Sequence, residues 1–228
     1  MSALYVISGI SQLKTIWNFP LLFWVFLSAT GCIWVEYHRP RWLFYILKPL
    51  TMVLIILVPL LGGQEWTIYK SMIILGLIFS LAGDVFLMLP SDRFLLGLTA
   101  FLATHLCYIW AFSSKINALN WLPLLPLISI GVLLAYSFSP DLGKLKIPAY
   151  LYTGMILGMF WLAWTRFIQE SDIENMLVFL GAGLFVISDL ILAVVRFKVG
   201  FKQDRIIILG TYFTAQWLIA SSAGFLVQ

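Results

Sequence analysis

Two aspartates sit inside strongly apolar stretches of this chain. Asp84 lies in the run 72–89 and Asp189 in the run 177–195. An ionisable side chain at membrane depth is costly, and it usually faces a bundle interior or a wet cavity, where it serves a function. Two nearby carboxylates in different surroundings can divide acid and base work. The same pair would suit a proton relay in a transporter, or each Asp could cap a broken helix. Lys48 is the cation best placed to keep one carboxylate ionised. His105 is the only histidine inside an apolar run, since His38 sits in a basic loop. Ser80 and Ser188 each lie close to an Asp. No Gly-x-Ser-x-Gly elbow is present, so both serines are read as local hydrogen bonders. A zinc site needs three or four ligands, and no Cys/His cluster exists to supply them; no metal or other cofactor is expected.

The elements that must position these residues are membrane helices. The chain is 62% hydrophobic and 11% charged, with mean hydropathy +0.99. Soluble domains carry about 25% charged residues, which excludes an ordinary soluble enzyme. A span needs roughly 20 mainly apolar residues. Eight such stretches occur, at about 18–36, 43–62, 68–89, 93–113, 120–138, 147–168, 174–196 and 204–226. Strict alternation of apolar and polar residues is missing, which argues against a barrel. The expected fold is an all-α integral membrane protein, a bundle of eight transmembrane helices. It forms a single polytopic domain over 1–228. Residues 1–17 are read as a possible interfacial segment, because Lys14 follows the apolar part and no clear cleavage site is present.

Lys and Arg set the expected orientation. The loops after spans 1, 3, 5 and 7 hold Arg39, Arg41, Arg93, Lys144, Lys146, Arg196, Lys198, Lys202 and Arg205. The opposite side holds Lys14, Lys70, Lys115 and Arg166. The positive-inside rule then places the first group in the cytoplasm and both termini outside. Both aspartates fall near the cytoplasmic ends of their spans, with Lys48, Glu36 and Tyr212 at similar depth. His105 is deeper. A net charge of +4 needs no nucleic-acid partner, since a basic rim against anionic membrane lipid accounts for it. Glu170, Asp172 and Glu174 read as a solvated external turn. Trp42, Trp66, Trp121 and Trp164 read as interface anchors, and Cys32 and Cys107 as buried packing residues. A bacterial inner membrane suits so compact a chain.

A weak internal echo links the two aspartate segments. Gly76, Asp84 and Leu87 match Gly181, Asp189 and Leu192 in spacing. The spans that follow carry Thr104-His105 and Ala215-Gln216 at similar heights. The pattern is that of two four-helix halves in parallel repeat.

Five short motifs occur in order: Lys48-Pro-Leu-Thr-Met52, Phe79-Ser-Leu-Ala-Gly-Asp84, His105-Leu-Cys-Tyr108, Gly181 through Ser188-Asp189, and Tyr212-Phe-Thr-Ala-Gln216. Together they resemble the YhhN-type lysoplasmalogenase family of polytopic membrane proteins, over roughly residues 35–225. The resemblance implies hydrolysis of the vinyl-ether bond of a lysophospholipid. The products would be a fatty aldehyde and glycerophosphoethanolamine or glycerophosphocholine. It makes Asp84 and Asp189 the candidate acid and base, without deciding which is which. Lys48 is expected to contact the lipid phosphate or to tune an Asp. His105, Tyr108, Tyr212 and Gln216 are expected to position water or the glycerol hydroxyl, with Ser188 in support. Alternatives are hydrolysis of another lysolipid and proton-coupled transport of a small amphiphile. An intramembrane aspartyl protease would need Gly-x-Gly-Asp, which neither Leu81-Ala-Gly-Asp84 nor Val186-Ile-Ser-Asp189 supplies.

Overall fold

The computed structural model describes residues 19–38, 41–62, 65–90 and 93–224. The expected interfacial segment 1–17 and the loop residue Arg39 lie outside the described residues. Among the described residues eight α-helices follow one another: α1 (Phe19–Tyr37), α2 (Arg41–Leu61), α3 (Ile68–Met88), α4 (Phe94–Ser113), α5 (Leu124–Phe138), α6 (Lys146–Gln169), α7 (Ile173–Phe197) and α8 (Asp204–Ser222). A single 3₁₀ turn, Gly143–Leu145, precedes α6. No strand occurs among the described residues. Helices answer the problem posed by lipid, where every backbone N–H and C=O must find its partner within the protein.

Six of the helices, α1 to α4, α6 and α7, are long and apolar enough to cross a membrane. Helix α5 is apolar but has only 15 residues. Helix α8 has 19 and begins with the charged pair Asp204-Arg205. The eight stretches of the sequence thus all become helices, and six have the dimensions of a span.

Both aspartate-bearing helices are capped at the end opposite the carboxylate. The Thr67 hydroxyl accepts from the Lys70 amide at 3.2 Å, and Asp172 from the Asn175 amide at 2.7 Å. Such caps satisfy N–H groups that would otherwise be orphaned and fix where the helix begins. The closest packing is within the hairpins α3–α4 and α7–α8. Glycine makes the first possible. A Cβ on Gly76 would lie 2.4 Å from the Tyr108 ring, and one on Gly83 would lie 2.7 Å from Phe101. Gly181 meets Ile219 on α8 in the same manner, at 2.8 Å. Helix α2 carries Pro49 and Pro59 in its interior. Each removes an N–H from the helical ladder, a defect that membrane helices tolerate when neighbours re-satisfy the freed carbonyls. Helix α5 stands at the edge of the bundle. It packs mainly on α6 and buries only Leu127.

Of the acidic turn, Glu170 and Asp172 are exposed as expected, and Glu174 is not. Asp172 is the cap of α7, and Glu174 is buried, not solvated. The Glu174 carboxylate accepts from Lys115 Nζ and from Arg166 Nη2, both at 2.7 Å. Arg166 is buried as well and lies against the rings of Tyr69 and Phe112. A carboxylate there can be removed from water because two cations repay part of its desolvation. Trp42, Trp66 and Trp121 are exposed on the bundle surface. Trp164 is half-buried against Phe160 and Phe179. Cys32 and Cys107 are buried and unpaired.

Candidate active site

Helices α3 and α7 are not among the closely packed pairs. The space between their last turns, closed by α1, α2, α4 and α8, is a cavity of about 670 Å³. Lys48, Asp84, Ser188, Asp189 and Tyr212 all line it. The two aspartates, far apart in sequence, therefore open onto one polar space.

Their surroundings differ. Asp84 is buried. Its Oδ1 lies 2.9 Å from Lys48 Nζ, and its Oδ2 accepts from the Tyr212 hydroxyl at 2.7 Å. A cation on one oxygen and a phenol donor on the other hold this carboxylate in one orientation. Asp189 is half-buried and receives the Tyr152 hydroxyl on Oδ2. No cation pairs with it among the ion pairs of the described residues. Ser188, its neighbour, turns away and donates to the Ile208 carbonyl of α8 at 3.0 Å.

The cavity mouth is basic. Among the described residues five cations line it, Arg41, Lys48, Arg93, Arg196 and Arg205, with three carboxylates, Glu36, Asp84 and Asp189. Arg205 Nε lies 3.6 Å from Glu36, and the Arg196 guanidinium lies over the Phe94 ring. The floor is aromatic. Phe101, Phe185 and Tyr212 meet edge to face, with centroids 5.8 to 6.3 Å apart. Such a plate separates the polar space from the bundle core.

Three expected site residues lie behind that floor and do not line the cavity. Tyr108 donates to Gln216 Oε1 at 2.7 Å, and Gln216 Nε2 donates to Ser80 at 2.7 Å. Ser80 pairs with Thr104 at 3.1 Å, and Thr104 also donates to the Gly76 carbonyl. All four side chains are buried, and together they join α3, α4 and α8. This chain is a satisfied polar layer rather than a surface for water. His105 is fully buried between the rings of Tyr152 and Phe185, each at 5.0 Å. Neither imidazole nitrogen has a hydrogen-bond partner among the described residues. His105 meets the site through the rings of Tyr152 and Phe185.

Tyr152 was not among the residues singled out from the sequence. It lies near the start of α6, in a segment with Tyr150 and Thr153 that reads as ordinary amphipathic filler. Its depth could have matched it to Asp189, but its direction could not be read. Among the described residues, no group of three or more His, Cys, Asp or Glu is placed to hold a metal.

The chain matches the YhhN family over residues 43–223. It is 28% identical over 206 residues to the uncharacterized membrane protein YhhN of Escherichia coli O157:H7, covering 88% of this chain and 99% of that one. It is 28% identical over 207 residues to human lysoplasmalogenase TMEM86A, covering 84% and 82%. With lysoplasmalogenase TMEM86B of Sus scrofa the identity is 31% over 192 residues, covering 83% and 79%. No solved structure matches. Six apolar helices of spanning length and membrane-protein relatives make this a multi-pass membrane protein. With the match running from α2 to the end of α8, the chain belongs to the YhhN family.

Proposed function

We propose that this protein is a lysoplasmalogenase, a hydrolase that cleaves the vinyl-ether bond of a lysophospholipid. One observation carries the reading: two carboxylates in unlike settings, one paired with Lys48 and the other, among the described residues, bound only by a tyrosine hydroxyl, open onto a single cavity at one end of an apolar bundle. Relatives named lysoplasmalogenases support the substrate class.

The chemistry fits the two settings. A vinyl ether is broken by adding a proton to its β-carbon, which leaves an oxocarbenium ion. Water then adds to the cationic carbon and loses a proton. The hemiacetal collapses to a fatty aldehyde and the glycerol hydroxyl of glycerophosphoethanolamine or glycerophosphocholine. Asp189, which forms no ion pair among the described residues, is the acid that gives the first proton. Asp84, held as a carboxylate by Lys48 and Tyr212, balances the cation and takes the proton from water. Paired carboxylates treat glycosidic oxocarbenium ions in this way. Tyr152 orients Asp189, and the excess of cations at the mouth attracts the phosphate. Lys48, already committed to Asp84, sets the charge of that carboxylate. The reading places all eight helices in the membrane, the basic mouth in the cytoplasm of a bacterial cell and both termini outside, as the distribution of Lys and Arg favours.

The test is mass spectrometry of purified protein incubated with a lysoplasmalogen and with its acyl-linked counterpart. Aldehyde should appear from the first alone. No turnover of either, together with pH-driven flux in vesicles, would replace hydrolysis with transport.

A further inference from the structure

The polar cavity does not end at Asp189. That residue also lines a second, apolar cleft of about 110 Å³ between α5, α6 and α7. Leu87, Phe94, Phe101 and Leu192 are shared walls as well, so the two spaces meet along one seam. The cleft continues in turn. Ala135, Tyr150, Thr153 and Leu157 line both it and a groove of about 280 Å³ that runs along the α5–α6 interface. Three glycines, Gly131, Gly154 and Gly158, leave that groove open, and a Cβ on Gly154 would meet nothing within 4 Å.

Direction and length are informative. The groove begins at Ala135 on α5 and Tyr150 on α6, where it joins the cleft that Asp189 lines, and runs back toward Leu124. Helix α5 has 15 residues, or roughly 22 Å at 1.5 Å per residue. One lipid chain fills one leaflet of the hydrocarbon core, about 15 Å deep. A lipid with its phosphate at the basic mouth would therefore point its chain down this groove, in the direction that lipids of that leaflet already take.

Resting on the reading of the site as a lipid hydrolase, we propose that the α5–α6 groove holds the single hydrocarbon chain of a lysophospholipid. Its phosphate lies among the cations of the polar cavity, and its first carbons pass Asp189. The bond to be broken joins head to chain. It therefore falls at the seam between the charged and apolar spaces, where Asp189 is the residue facing both. Charge complementarity selects the head, and the continuity of the two spaces selects a chain rather than a second polar group. Helix α5 is the membrane-side wall of the groove and the natural side for a lipid to arrive from, since it packs mainly on α6.

Photo-cross-linking tests this on the full-length protein in nanodiscs. The probe is an acyl lysophosphatidylcholine with a diazirine near the end of its chain, which is not a vinyl ether and so reports binding without cleavage. Labels should concentrate on residues 124–135 and 150–158. Gly154→Trp, which projects a ring into open space, should lower that labelling about tenfold or more, since one methylene of mismatch in an apolar pocket is already worth roughly that much. A probe shortened by several carbons should regain it. Gly158→Leu, on the same wall, serves if the tryptophan variant does not fold. Equal labelling of α1, equal labelling of the groove by a diacyl probe, or indifference to both variants would make the groove ordinary lipid-facing surface and overturn the proposal. Groove labelling without aldehyde release would reject hydrolysis and keep the groove. Aldehyde release with labels elsewhere would do the reverse.

Discussion

Lys48 Nζ lies 2.9 Å from Asp84 Oδ1, and both side chains are almost wholly removed from solvent, at 10% and 2% exposure. The pair joins α2 to α3 at the cavity wall. Removing one partner of a buried ion pair typically costs about 3–5 kcal/mol, because it strands the other charge. Lys48→Met and Asp84→Asn should each lower the melting temperature in detergent. The double variant should be more stable than the sum of the two losses requires, since neither charge is then left alone. Additive losses would show that the two side chains do not act as a pair.

Activity separates the carboxylates from their scaffold. Asn keeps the shape of Asp but cannot exchange a proton or carry the balancing charge. Asp84→Asn and Asp189→Asn should each reduce kcat by roughly 10²–10⁴-fold, the usual contribution of a general acid or base. The double variant should be little worse than the worse single one, because groups acting as a unit are non-additive. Near-normal turnover in both single variants would end the two-carboxylate mechanism.

Tyr152→Phe removes the phenol that donates to Asp189. Asp189 becomes charged as it gives up its proton, and a hydrogen bond to a charged group is worth about 1.5–3 kcal/mol, so kcat should fall about tenfold or more. The same change in an Asp189→Asn background should cost little further. A full additional loss there would mean that Tyr152 acts on something other than Asp189.

Tyr108→Phe should behave in the opposite way. It deprives the buried Gln216 Oε1 of its donor. An unsatisfied buried acceptor costs about 1–3 kcal/mol, read as a lower melting temperature. Because Tyr108 lies behind the aromatic floor, kcat of the folded fraction should stay within about threefold of the parent, less than the tenfold that 1.4 kcal/mol of transition-state stabilisation represents. A loss as large as that of Asp84→Asn would bring this polar layer into the chemistry.

Orientation can be read by cysteine labelling in intact cells. With Cys32 and Cys107 replaced, a cysteine at Lys198 should resist membrane-impermeant maleimide. One at Glu170, on the far side of α7, should react. The reverse pattern would turn the cavity mouth to the outside.

The membrane class of this chain and the positions of its apolar helices were legible because lipid imposes a one-dimensional rule. Each span must be a run of apolar residues about as long as the bilayer is thick, and an Asp within it can be placed by counting. That count put Asp84, Asp189, Lys48 and Tyr212 at one level, and all four line one cavity. Counting says nothing about azimuth. In a soluble helix the apolar stripe marks the buried face, but a helix in lipid is apolar on every side. The sequence therefore could not tell that Tyr108 and Gln216 turn inward behind the floor while Tyr152 turns toward Asp189. Nor could it distinguish a solvated Glu174 from one enclosed by Lys115 and Arg166, because those partners come from the turn after α4 and from α6. The groove between α5 and α6 is a property of the space left between helices. Only their packing decided it.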